Sequence, residues 1–189
     1  MYNDKFILNL DSSTLINTHV TLDEVKSNLH IDTSEIDDDA RITRLIKAAS
    51  EDARNYCDHY FSLTELAYIG FNFSVDALYK MRVSPFSSLE SFETSDDGIT
   101  WTEIKAAINI EKRDSDFTFH FDGGLTATYI RFTIRVGYIA DQIPENAKDA
   151  IVVKASDKFD TESSSYAQKM VNLRAYENSL APFFNARWL

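Results

Sequence analysis

Cys57-Asp58-His59 sets a thiol, a carboxylate and an imidazole side by side, the three groups of a nucleophilic centre. A nucleophile needs its base within hydrogen-bond reach. Here the triplet closes a helical stripe, where neighbouring residues point about 100° apart, so the expectation is a core cysteine beside a surface histidine. His19, His30 and His120 show no H-x-x-x-H or similar ligand spacing, and no metal site is expected from them. Asp37-Asp38-Asp39 gathers three carboxylates, but it lacks the D-x-D-x-D-G order and trailing Glu of a calcium loop; a solvated helix N-terminus explains it. A Gly-rich phosphate loop, a G-x-S-x-G elbow and a paired-carboxylate pattern are all missing. The sequence therefore offers no catalytic residue, no cofactor site and no metal ligand, and it does not read as an enzyme.

Thr94-Ser-Asp-Asp-Gly-Ile-Thr-Trp101 fits the pattern S/T-x-D-x-G-x-T-W, which resembles the Asp-box hairpin of sialidase-like propellers. As chemistry it is a folding device. Asp96 is expected to accept hydrogen bonds from turn amides, Gly98 to supply a positive φ, and Trp101 to cover the hairpin. Propellers repeat the motif once per blade, whereas it occurs once here. A carbohydrate-binding or other interaction module on this β-segment is the alternative functional reading.

Those residues hang on a regular framework. Thr21-Leu-Asp-Glu24 is a capping box that starts a first helix, with Leu22, Val25 and Leu29 on one face. After the acidic break Asp32–Asp39, a second helix runs from about Asp38 to Tyr60. Its apolar stripe is Ile42, Leu45, Ile46, Ala49, Ala53, Tyr56, Cys57 and Tyr60, a 3.6-residue period, and its aspartates suit the positive end of the macrodipole. From Leu63 to about Gly137 the period changes to two, predicting six to eight short strands. These include Leu78–Val83, a hairpin of Leu89–Thr94 with Ile99–Ile104, Phe117–Phe121 and Tyr129–Tyr138. A third helix opens at Pro144, burying Ala147, Ala150, Ile151, Ala155 and Phe159, and is interrupted by the polar run 160–165. A fourth spans about Tyr166 to Ala181, with Tyr166, Met170, Leu173 and Leu180 on one side. Residues 1–20 read equally as a strand-like arm or as a packed loop. The fold class is α+β: N- and C-terminal helices form a small bundle with an inserted antiparallel β-module. The expected divisions are 1–20 arm, 21–61 helical hairpin, 62–139 β-module, 140–182 C-terminal helices and 183–189 tail.

Across 189 residues the net charge is −11, which argues against wrapping a nucleic-acid duplex. The acidity is uneven: residues 21–61 carry ten acids against five bases, and residues 144–189 six against six. A single cysteine excludes a disulfide framework. No apolar run is long enough to span a membrane, and Met1-Tyr-Asn-Asp-Lys5 lacks the features of a signal peptide, so synthesis in the cytoplasm is expected. Phe183, Phe184 and Trp188 lie beyond the helix stop at Pro182. They either fold back on the core or, with Arg187, present interface anchors.

Taken together, the two ends resemble a phage family. Thr21-Leu-Asp-Glu-Val-Lys-Ser-Asn-Leu-His-Ile-Asp32, the acidic gap and Ile42-Thr-Arg-Leu-Ile-Lys-Ala-Ala49 are similar to the opening of the gp6-like head–tail connectors. That opening is a TLEEVKxHLRID segment, an Asp-rich break and an LIxAA helix ending near a Tyr. Gly137-Tyr138 with Ile143-Pro-Glu-Asn-Ala-Lys-Asp-Ala-Ile151 resembles the signature GY…VPExxKxAIL, and Leu180-Ala-Pro-Phe183 the closing LLAPY. The chain departs from the pattern at His30, where the family carries Arg, and at Lys158–Glu162, where it carries Tyr-x-x-Arg-Glu. The resemblance implies a structural virion protein, made in the host cytoplasm and placed in the neck. Such proteins form a homo-oligomeric ring, commonly twelvefold, between the portal protein and a downstream tail or stopper protein. The genome passes through without sequence-specific binding, and no membrane is involved. On that reading Leu22, Val25, Arg41, Arg44 and Lys148 are expected at the ring interface. Phe183, Phe184, Arg187 and Trp188 are expected at the portal, and Asp37, Asp38 and Asp39 along the channel.

The capping box gives the first measurable consequence. Thr21→Ala is expected to cost about 1 kcal/mol in a denaturant melt; an unchanged midpoint means that the helix starts elsewhere.

Overall fold

The computed structural model describes residues 6–8, 14–17, 19–75, 78–113, 116–139, 142–159 and 166–184. The chain divides into two compact units. One combines Met1–Ile16 with Leu63–Gly137, the other Asn17–Ser62 with Tyr138–Leu189. Helices flank an inserted antiparallel β-module, the α+β class read from the sequence.

The helical unit holds α1 (Leu22–Leu29), α2 (Asp39–Cys57), α3 (Glu145–Phe159) and α4 (Tyr166–Leu180). Both halves of the capping box are made: Glu24 N donates to Thr21 Oγ1 at 3.3 Å and Thr21 N to Glu24 Oε2 at 2.8 Å. α3 packs against all three other helices, and α1 also packs on α2. Small residues permit this. Ala147, Ala150 and Ala155 of α3 share one buried cluster with Ala49 and Ala53 of α2 and with Ile42, Ile46 and Ile151. The Pro144 carbonyl accepts from Ala147 N and Lys148 N, so this proline caps α3 rather than occupying its first turn.

Two features differ from the periodicity. α2 ends at Cys57, not Tyr60, because Asp58 turns left-handed at φ 53°, and Tyr56 of the expected stripe is exposed and outside the core. On α4, Leu173 is exposed, whereas Tyr176 and Leu180 are buried; the inner face follows the i, i+4 pair. The side chains of Tyr166 and Met170 and the run 160–165 lie outside the described residues.

The β unit has two antiparallel layers. One sheet has the order β1 (Phe6–Leu8), β3 (Leu63–Val75), β9 (Leu125–Val136), β5 (Phe86–Ser95) and β6 (Thr102–Glu103), with β2 (Thr14–Asn17) also pairing β3. The arm is therefore a strand in both its described pieces. The other sheet is β4 (Leu78–Met81), β8 (Phe117–Phe121) and β7 (Ile108–Lys112). Phenylalanines join the layers: Phe92 stacks on Phe132 at 5.1 Å within the first sheet, and both meet Phe119 of the second edge-on at 5.6 and 5.5 Å. Offset and edge-to-face contacts of this kind add to plain area burial. β9 shows the period of two, with Ile130, Phe132, Ile134 and Val136 inward. β5 buries every third residue, Phe86, Leu89, Phe92 and Ser95, because two register shifts interrupt its ladder with β9. On β3, Asn72 takes φ 50°, and the inward side switches from Leu66 and Tyr68 to Phe73, leaving Phe71 exposed.

Lys26, which falls beside the apolar stripe of α1, is 1% exposed. Its Nζ lies 2.5 Å from Asp39 Oδ1 and donates to the carbonyls of Glu35 (2.5 Å) and Thr33 (3.3 Å). Removing one partner of a buried charge cluster leaves the others unsatisfied. Lys26→Ala is thus expected to cost roughly 2–4 kcal/mol in a chemical melt, far more than an ordinary surface lysine.

Candidate interaction surfaces

The acidic break is a built loop. Asp32 Oδ1 accepts from Ser34 N at 2.8 Å and from Ser34 Oγ at 2.7 Å, and these two bonds hold its carboxyl below the usual range. Its three consecutive aspartates separate. Asp39 goes to Lys26, Asp38 lies 3.9 Å from Arg41, and Asp37 is exposed. Ile36 projects into solvent beside them at 70% exposure.

The residues expected at a ring contact have different surroundings. Val25 has no exposed surface and belongs to the core, so it cannot meet a neighbouring subunit; its place in the apolar stripe is intramolecular. Leu22 is half-buried against the same core. Arg41 lies 4.3 Å over the Phe159 ring and donates to the Phe159 carbonyl at 3.1 Å. Lys148 pairs with Glu24 at 2.5 Å, tying α3 to α1. Arg44 is exposed, like Arg41, but has no ion-pair partner among the described residues. Between α1 and α3 an open furrow is lined by Asp23, Ser27, Asn28, His30, Glu145, Asp149 and Val152, together with the Glu24–Lys148 pair.

The tail resolves into two roles. Phe183 folds back, edge-on to Phe61 at 5.3 Å and 5.8 Å from the His59 ring. Phe184 rests against Tyr56 at 5.9 Å but stays 53% exposed. Arg187 and Trp188 lie outside the described residues. His59 is buried rather than superficial. Its Nε2 is 3.1 Å from Tyr138 Oη, and burial lowers its pKa from 6.5 to about 4. Burial raises the Cys57 thiol to about 11, and its Sγ donates to the Leu180 carbonyl at 3.6 Å. A neutral thiol pointed at a backbone carbonyl is packing, not a nucleophile.

The hairpin turn is organised by Asp97, not Asp96. Asp97 Oδ1 accepts from Ile99 N (2.8 Å), Thr100 N (2.7 Å) and Ser95 Oγ (2.9 Å), and Oδ2 from Thr100 Oγ1 (3.1 Å). Those amide bonds, Thr100 first, depress its pKa strongly. Ser95 Oγ in turn accepts from Gly98 N at 2.9 Å. The pattern match placed the aspartate one residue early, and only the turn geometry distinguishes the two. Trp101 lies under the Arg131 guanidinium at 4.2 Å, and Arg131 also pairs with Glu93. Among the described residues no group of three His, Cys, Asp or Glu could hold a metal ion, and no helix is long and apolar enough to cross a membrane.

With this geometry in place, residues 19–83 match the phage gp6-like head-tail connector protein family, the family that the sequence motifs resemble. The fold is also similar to solved chains of gene transfer agent particles. One from the virion of the native particle has a TM-score of 0.74 at 10% identity, covering 97% of both chains. One from the neck of the native particle, computed with C12 symmetry, has 0.70 at 14% identity, again covering 97% of both. One from the neck of the empty particle, computed with C6 symmetry, has 0.70 at 13%, covering 94% of this chain and 97% of that one. No curated protein matches the chain.

His59 makes the closing segment sensitive to pH. Its folded pKa lies below that of an unfolded histidine, so the unfolded chain takes the proton first and stability is lost as pH falls from about 6.5 toward 4. His59→Phe, which keeps a ring among Phe61, Tyr138 and Phe183, is expected to flatten the stability slope between about pH 6.5 and 5, above the carboxylate range. An unchanged slope in urea melts assigns it to another group.

Proposed function

We propose that this chain is a head–tail connector subunit, a structural virion protein of the phage neck. It forms a ring beneath the portal and continues the DNA channel toward the tail. The observation that carries this is the family match over residues 19–83. The likeness of the fold, over nearly the whole chain, to proteins from particle necks supports it.

The physical features fit. Subunits of a closed ring need two different patches each, and the helical unit offers α2's outer face and the α1–α3 furrow. Twelve copies is the number we propose, in keeping with the C12 neck. An acidic chain of net charge −11 suits a channel wall, because like charge keeps phosphate from adhering. Asp37, exposed at the edge of the acidic break, is the member of its triplet best placed for that task. The role is mechanical and calls for no catalysis, cofactor or metal. At the portal end the contact falls to Phe184, Arg187 and Trp188, since Phe183 is engaged internally. The remaining partners are the portal protein and a tail or stopper protein.

Micrographs of purified protein mixed with its portal are expected to show a ring docked on one face. Deleting residues 185–189 is expected to abolish docking and leave the melting curve unchanged. A protein that neither forms rings nor binds portal, and that is missing from purified virions by mass spectrometry, overturns the reading. Normal docking by the truncated chain moves the anchor elsewhere.

A further inference from the structure

The helical unit distributes its unpaired charge unevenly. On α2, Arg54 pairs with Glu51 and bonds Tyr60, while Arg41 is held by Phe159 and Asp38. Arg44 and Lys47 are exposed between them and have no ion-pair partner among the described residues. At a spacing of three they stand next to each other on the helix surface. Across the unit, the furrow between α1 and α3 carries Asp23, Glu145 and Asp149, likewise without ion-pair partners among the described residues. Glu145 and Asp149 are one turn apart on α3, a second adjacent pair of the opposite sign.

The macrodipole accounts for an acid in the first turn of α1 or α3. It does not account for Asp149 in the second turn of α3, nor for two unpaired cations on the exposed side of α2. The packing supplies the geometry. α1, α2 and α3 touch pairwise, so the furrow between α1 and α3 opens on the side away from α2, and the outer face of α2 looks the other way. The two patches are complementary in charge, differ in shape, and lie on opposite sides of one unit. Neither patch has an ion-pair partner among the described residues. Pairing of the two, repeated from copy to copy, gives a head-to-tail contact, the heterologous arrangement that closes into rings.

We infer that the occupant of the α1–α3 furrow is a second copy of this chain, whose α2 ridge lays Arg44 and Lys47 against Glu145, Asp149 and Asp23. The inference deepens the connector reading and rests on it for the ring. Lys148 is paired with Glu24, so the incoming cations meet a net negative wall of Asp23, Glu145 and Asp149. Rim charges of this type set on-rate and register and are weakened by salt.

The test uses the full chain and mass photometry across a range of protein and salt concentrations. The wild type is expected to assemble, less readily as salt rises. Arg44→Glu with Lys47→Glu, and separately Glu145→Lys with Asp149→Lys, are each expected to raise the half-assembly concentration at least tenfold. Mixing the two double variants is expected to restore assembly, because each then offers the patch that the other requires. Combining all four changes in one chain is expected to restore it as well. These rescues separate a lost contact from a misfolded chain. Assembly of either double variant at the wild-type concentration overturns the contact, and so does failure of both rescues with circular dichroism unchanged. A wild type that stays monomeric at low salt also overturns it, and portal co-purification then decides the connector reading independently.

Discussion

The ammonium of Lys26 is surrounded by protein, and its charge is answered by two backbone carbonyls and the Asp39 carboxylate. A buried cation is tolerated only where such partners converge, so those atoms hold the acidic break in one conformation. Three things follow from that one position. The break cannot swing away from α1. The first turn of α2 is tied to α1 through Asp39. The crossing of α1 and α2, on which α3 lays its alanines, is thereby constrained. The charged surfaces of the helical unit, including the exposed Asp37 and the ridge of α2, inherit their placement from this arrangement.

The other end of the unit is closed by aromatic packing. His59, Phe61, Tyr138 and Phe183 come from the end of the α2 segment, the return from the β-module and the chain's closing turn. Each ring is the wall of another's site. Burial favours the neutral imidazole of His59 in this setting, which makes the closing turn depend on a titratable group. Phe183 and Phe184 are neighbours in sequence, yet one is held inside and the other displayed. The change of direction at the 3-10 turn Ala181–Phe183 separates a structural residue from one available to a partner.

Much of the fold was legible because it rests on local rules. Thr21 and Glu24 announced α1, and the spacing from Ile42 to Cys57 gave the inner face of α2. Alternation from Tyr129 onward gave β9. What could not be read had a nonlocal cause. Tyr60 continues the helical period, but Asp58 turns left-handed and ends the helix. Phe86 and Leu89 break the alternation because β5 bulges against β9. The burial of Lys26 depends on carbonyls seven and nine residues away, which no periodicity records. The interaction surfaces were less legible still. Val25 and Arg44 were both expected at a ring contact through the family resemblance, yet Val25 is buried in the core and Arg44 is exposed. The furrow between α1 and α3 joins residues more than a hundred positions apart.

The stretch that matches the connector family, residues 19–83, runs through α1 and α2 and continues into β3 and β4. It therefore cuts across both compact units. β3 is no peripheral addition: it pairs along its length with β9, from Thr64 opposite Val136 to Val75 opposite Leu125. The chain leaves the helical unit through one strand of that ladder and returns through the other, so the ends of the insertion are held side by side by backbone hydrogen bonds. Gly137, at φ 95° and with its N–H on the Pro85 carbonyl at 2.8 Å, makes the exit that an L-residue would strain. A loop long enough to hold seven strands costs the helical unit little in closure entropy once its two ends are locked together. This is why helices separated by the whole β-module can still assemble one core, and why the module reads as part of the fold and not as a graft upon it.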